Sequence, residues 1–175
     1  MQKGKTKEYA LIIFFVILIA GAAYYISQDH VRLQTVVSKN QVVLDEQDFL
    51  VKIGQNNLSI GTSTRDEVLK IFPQGKTLGM STIYKPKNSD CLLTFNRDEE
   101  ILQKLHILSQ DIPTKRGVKV GDSFTLVKEK YGPNYSSVGY PGKPKDFDAV
   151  YGAGNNIIFQ VRDDKVKAII LQYEK

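Results

Sequence analysis

Hydrophobic positions along this chain form one long unbroken run near the start and short, regularly spaced runs after it. Residues 10–26 read ALIIFFVILIAGAAYYI, and no charge stands between Glu8 and Asp29. As a helix rising about 1.5 Å per residue the run would reach roughly 26 Å, and about 30 Å with its uncharged flanks, the thickness of a bilayer core. The pattern predicts a transmembrane helix. Lys3, Lys5 and Lys7 precede it, so the positive-inside rule keeps residues 1–9 in the cytoplasm and places the rest of the chain outside. The expectation is a single-pass plasma-membrane protein with 10–26 as an uncleaved signal-anchor. Ala20-Gly21-Ala22 also forms an A-x-A cleavage site before Ala23, so a secreted form stays open as the alternative.

Beyond a polar tether over 27–48, residues 49–175 carry an internal repeat, with copies over about 58–109 and 118–174. Ile60-Gly61-Thr62-Ser63 leads into TRDEVLKIF and stops at Pro73. Val120-Gly121-Asp122-Ser123 leads into FTLVKEKYG and stops at Pro133, at the same distance from its glycine. Thr64-x-x-Glu67 is a capping box, in which hydroxyl and carboxylate satisfy the free amides of a helix start. Ser123 or Asp122 caps the second helix, with Phe124, Val127 and Tyr131 on one face. Polar turns then separate β-rich runs at 81–84, 91–96 and 101–108, and again at 147–151, 156–161 and 166–173. Each copy therefore reads as a short helix plus a three-strand antiparallel meander. The fold class expected is α+β, an N-terminal transmembrane helix followed by two such tandem units.

Ile60-Gly61-x-Ser63…Val68 and Val120-Gly121-x-Ser123…Val127…Tyr131-Gly132, each followed by a meander, resemble one known group. The pattern is similar to the repeat of β-lactamase-inhibitor-protein-like proteins and of the related small outer-membrane lipoprotein domain SmpA/OmlA. The resemblance covers the two copies. It implies protein-binding or scaffold roles at a bacterial envelope, and no catalytic residues to carry over.

Charge and chemistry change this picture little. The formal net charge is +5 and falls to +3 once Lys3, Lys5, Lys7 and Glu8 are set aside, too mild and dispersed for nucleic acid. Cys91 is the one cysteine, so no intramolecular disulfide forms, and with only His30 and His106 as bases it reads as a small apolar residue. The carboxylates Asp98, Glu99, Glu100, Asp163 and Asp164 sit where hairpin turns are expected, and turns favour Asp for conformational reasons. Asp45, Glu46 and Asp48 lack the glycine turn and ligand spacing of a calcium loop. No metal and no cofactor is expected.

Residues 132–146, GPNYSSVGYPGKPKD, read as a long loop. Tyr135, Tyr140, Lys143 and Lys145 are its candidate partner-binding residues, because tyrosine offers large contact area at low entropic cost. The function expected is a non-catalytic, membrane-anchored extracytoplasmic binding or scaffold protein whose partner is a protein or cell-surface ligand. The alternatives are a secreted inhibitor and a carboxylate-dependent envelope hydrolase, which would need two carboxylates facing one pocket.

Overall fold

A computed structural model of the protein describes residues 34–174, apart from Met80, Ser81, Glu99 and Pro141. Eleven strands run in chain order as β1 (Gln34–Val36), β2 (Leu50–Ile53), β3 (Asn56–Ser59), β4 (Gly75–Thr77), β5 (Ile83–Pro86), β6 (Cys91–Phe95), β7 (Leu102–Ile107), β8 (Ser136–Tyr140), β9 (Lys143–Tyr151), β10 (Asn156–Arg162) and β11 (Lys165–Gln172). Two helices interrupt them, α1 (Arg65–Ile71) and α2 (Phe124–Tyr131), and a 3-10 turn covers Glu46–Phe49. Nine strands form one antiparallel sheet in the order β1-β8-β9-β10-β11-β7-β6-β5-β4, while β2 and β3 pair as a separate hairpin.

Local chemistry fixes the helix starts. Thr64 Oγ1 accepts from the Glu67 amide at 3.3 Å while the Glu67 carboxylate accepts from the Thr64 amide at 2.9 Å. Ser123 Oγ accepts from the Leu126 amide at 3.2 Å. Both starts are tied to the sheet in the same way. The first helical amide of each, Arg65 N and Phe124 N, donates to a hairpin-turn carbonyl, Glu100 O and Asp164 O, each at 2.9 Å. Gly61 N donates to Leu102 O and Gly121 N to Val166 O, at 2.7 and 2.8 Å. Gly61 adopts φ +100° and the Tyr173 ring lies over it, so a β-carbon there would come within 2.6 Å of that ring. The motif glycine is thus a packing requirement. Between β10 and β11, Asp163 and Asp164 have φ of 50° and 58°, the geometry of a two-residue hairpin turn that matches strand twist.

One face of the sheet carries the core. Leu93, Leu105, Leu171, Ile157 and Tyr151, one from each of five neighbouring strands, are buried with Val68 of α1 and Val127 of α2. Val51 and Leu58 of the β2–β3 hairpin join the same cluster. Phe124, Tyr131, Tyr135, Phe147, Tyr151 and Phe159 pack as edge-to-face and tilted rings with centroids 4.9–5.8 Å apart at their closest pairs. Such arrangements suit the ring quadrupoles.

Three expectations are corrected. The fold is predominantly antiparallel β rather than an α+β chain of helix-plus-three-strand units behind a membrane helix. Among the described residues two helices of seven and eight residues stand against eleven strands, and four sheet strands follow each helix. No helix among the described residues is long and apolar enough to cross a membrane. Eight residues rise about 12 Å, well short of a bilayer core. The predicted transmembrane helix and signal-anchor at 10–26 lie outside the described residues, and the single-pass plasma-membrane placement built on them is withdrawn. Residues 132–146 are not a long loop. Most of them form β8 and the start of β9, paired from Ser136↔Val150 to Tyr140↔Lys143 with a register shift at Gly139/Tyr140. Three prolines and three glycines hid the strands, yet only Gly139 and Pro144 lie inside them, and Pro144 sits at the hairpin end of β9, beyond its pairing with β10, where no ladder bond to that neighbour is lost.

Candidate binding surface

Side chains alternate across a strand, so a sheet whose one face is core presents a second face. Cross-strand register brings Leu92, His106, Ile170, Ile158 and Val150 into one line across β6, β7, β11, β10 and β9. All five are half-buried, and none belongs to the core cluster that holds the helices' buried residues. The line is apolar except at His106. Polar residues flank it on both sides: Thr94, Lys104, Gln172 and Asn156 in the next row towards one end of the sheet, Asp148 and Gln160 towards the other. An apolar centre with a polar rim is the anatomy of a protein-binding patch.

The polar groups here are ordered. Arg162 donates to Asp148 Oδ1 at 3.0 Å and to the Phe147 and Val161 carbonyls, and Gln160 donates to Asp148 Oδ2 at 3.4 Å. The Arg162 guanidinium also lies 5.5 Å from the Tyr140 ring centre, a cation–π arrangement. On β7, His106 Nε2 is buried without a hydrogen-bond partner. Burial, and then the neighbouring Lys104 ammonium, push the His106 pKa below its ordinary value. The imidazole therefore sits in the line as a neutral ring.

The four sequence-predicted residues divide. Tyr135, Tyr140 and Lys143 line a common hollow of about 230 Å³ with Val36, Asp146 and Phe147. Lys145 does not join it and forms a surface ion pair with Asp164 at 3.7 Å. Tyr135 is chiefly structural, its ring 5.1 Å from Phe124 and stacked near Phe147, and burial raises its pKa. Tyr140 is 41% exposed and is the contact-ready ring of the pair. Sequence reasoning missed the line across the sheet. Its signal was present in the unbroken apolar runs 91–93, 157–158 and 168–171, since a strand apolar on both faces has something to cover on each.

The acidic residues stay apart. Asp98 and Glu100 lie in the β6–β7 connection and Asp163 and Asp164 in the β10–β11 turn, and because β7 and β11 run antiparallel these turns fall at opposite ends of the sheet. Glu99 lies outside the described residues. Asp48 is committed to Arg116, both of its oxygens receiving guanidinium donors at 2.6 Å. Cys91 is buried beside Ser89, and burial pushes its thiol pKa up. Among the described residues no group of three or more His, Cys, Asp or Glu is placed to hold a metal ion. In comparisons with known proteins, no family model, no curated protein and no solved structure matches the chain.

Proposed function

We propose that the protein is a non-catalytic binding or scaffold protein that holds another protein, or a cell-surface component, against the sheet face opposite its helices. The observation that carries this reading is the line Leu92–His106–Ile170–Ile158–Val150, apolar but for His106, half-buried across five adjacent strands and rimmed by polar side chains. Monomeric proteins seldom leave contiguous apolar patches without a use for them. The separation of the carboxylate turns speaks for binding over hydrolysis, since acid and base must converge on one substrate. The resemblance of the Ile60-Gly61-x-Ser63 and Val120-Gly121-x-Ser123 motifs to envelope binding domains points the same way.

The test places a photo-crosslinking residue at Ile158 and, separately, at Lys128, an exposed position on α2. In intact cells the Ile158 probe is expected to trap a defined partner and the Lys128 probe none. The Ile158→Thr/Ile170→Thr double variant, which keeps β-branched side chains, should lose the partner and keep its unfolding midpoint. If the protein's cellular role survives that variant but is abolished by Asp98→Asn, Asp163→Asn and Asp164→Asn together, the binding reading falls and a carboxylate hydrolase replaces it.

A further inference from the structure

The sheet face opposite the helices carries charge of one sign at one end. Side chains alternate along β5, so with Tyr84 in the core Lys85 lies on that face. The β5–β6 register, Ile83↔Thr94 and Tyr84↔Leu93, carries Lys85 towards Leu92, the end residue of the apolar line. Lys76 of β4 stands directly opposite Lys85 and extends the row to the sheet edge. Lys104, opposite Thr94 in the next row, adds a third ammonium to the same face. None of the three forms an ion pair among the described residues. Strands β4, β5, β6, β7, β10 and β11 contain no Asp or Glu, and Asp90 and Glu174 sit just beyond strand ends. At the other end of the line Asp148 is already held by Arg162 and Gln160. A lysine on an edge strand guards against stray pairing. That reason covers Lys76 but not Lys85 or Lys104, whose strands are paired on both sides.

We propose that the partner bound on this face is a protein whose docking segment is apolar over the line and acidic beyond Leu92, where its carboxylates meet Lys76 and Lys85, an assignment that rests on the face being a binding surface. Charge complementarity makes the choice. An unpaired ammonium row beside an apolar line matches a segment that carries both kinds of side chain, and such charges steer and select a partner. A polyanionic polymer of sugar or phosphate would satisfy the lysines and leave the apolar line without apolar cover. Residues 1–33 of the chain itself carry Lys3, Lys5, Lys7 and Arg32 against Glu8 and Asp29, the wrong balance for this end.

The test uses the full-length protein in intact cells, with a photo-crosslinking residue at Ile158 reporting the bound partner. Lys76→Glu/Lys85→Glu should cut the crosslink yield at least tenfold, because like charges would then face each other across the interface. Lys76→Arg/Lys85→Arg should keep the yield, and so should Lys128→Glu/Lys130→Glu, the same charge change on α2. A photo-crosslinking residue at Leu92, with both lysines in place, should link the same protein through a peptide that bears Asp or Glu, a readout that stands even if the charge reversal lowers the unfolding midpoint. Full yield after the reversal at an unchanged midpoint, or a Leu92-linked peptide without a carboxylate, overturns the acidic partner and leaves the binding face standing. A link at Leu92 to a cell-surface polymer alone overturns it in favour of a polyanion. No link at Ile158, or a link only to residues 1–33 of the same chain, overturns the acidic partner and the binding face together.

Discussion

Asp48 and Arg116, sixty-eight positions apart in the chain, form a two-pronged ion pair, Nε to Oδ1 and Nη2 to Oδ2, each at 2.6 Å. The Asp48 side chain is only 3% exposed and also accepts from the Asp45 amide, completing the capping box of the 3-10 turn. Arg116 in turn lies 4.7 Å over the Tyr131 ring and donates to the Lys130 carbonyl. The pair therefore fastens the segment before β2 to the end of α2. Its hydrogen bonds to Asp48 hold the guanidinium pKa above its usual value, outweighing the burial that lowers it.

Removing one partner leaves the other charge buried. Arg116→Met should destabilise the domain by about 2–4 kcal/mol, below the upper range for buried pairs because Arg116 keeps some solvent contact. The Asp48→Asn/Arg116→Met double variant should recover part of that loss, because it removes the stranded carboxylate charge. Denaturant midpoints at constant m-value would measure both, and a loss under about 0.5 kcal/mol would show that the pair is solvated.

Gly61 and Gly54 both have positive φ, yet they should respond differently to alanine. At Gly54, φ is +60° and the space beyond is open, so Gly54→Ala should cost about 1 kcal/mol, the left-handed penalty. At Gly61, φ is +100° and Tyr173 blocks the site, so Gly61→Ala should cost at least about 2 kcal/mol. Equal costs would mean that Tyr173 moves aside freely. The same ring packs edge-on against Phe49 at 5.4 Å, which argues that it does not.

Much of the local structure was legible and most of the architecture was not. Thr64 and Ser123 announce helix starts because caps are short-range chemistry, written within four residues. The runs 91–96 and 156–161 announce strands because they are continuously apolar. By contrast β1, β4 and β8 contain Gln, Gly, Lys or Ser where alternation was sought, and they are strands because a neighbour supplies their hydrogen bonds. The count of sheet strands, and with it the fold class, depends on those tertiary partners. At the candidate surface, composition singles out Tyr140 and Lys143, which line one hollow. Ile158 and Ile170 read only as strand formers, since nothing local says that they stand side by side or that His106 stands next to Ile170.

The caps themselves give a modest prediction. Thr64→Ala and Ser123→Ala should each cost about 1 kcal/mol, read as lower thermal midpoints. Thr64→Ala should cost the more, because its loss frees two groups of a reciprocal box, whereas Ser123 makes a single cap bond. Unchanged midpoints for both would place the helix starts elsewhere.

Alkaline stability should depend on Tyr131. Burial, chiefly, pushes its phenol up to about 12 against the opposing pull of Thr114, which lies near the hydroxyl without meeting hydrogen-bond geometry. An unfolded tyrosine titrates near about 10, so the folded state holds the proton that the unfolded chain gives up. The stability tied to that difference is intact below about pH 10 and is lost as pH rises towards 12. Tyr131→Phe should reduce the loss over that window and be neutral or slightly stabilising at pH 7, because it removes an unpaired buried hydroxyl. A Tyr131→Phe variant with an unchanged alkaline profile would assign the loss to other groups, Tyr151 first, whose phenol is also raised by burial.

His106 sets the opposite limit. Its folded pKa is depressed, by burial first and by Lys104 second, while an unfolded histidine titrates near about 6.5. As pH falls below about 6.5 the unfolded chain gains a proton before the folded one does, so the contribution present above that pH is lost as pH drops through the folded value. Comparing wild type with His106→Gln between pH 5 and 7.5 isolates the effect: the stability difference should shift in favour of the variant as pH falls. Binding should follow the same sense, since a proton on His106 would place a charge in the apolar line, between Leu92 and Ile170. A stability difference that is flat across this range would mean that His106 is as well hydrated in the fold as in the unfolded chain, and that the line across the sheet is open to water at β7.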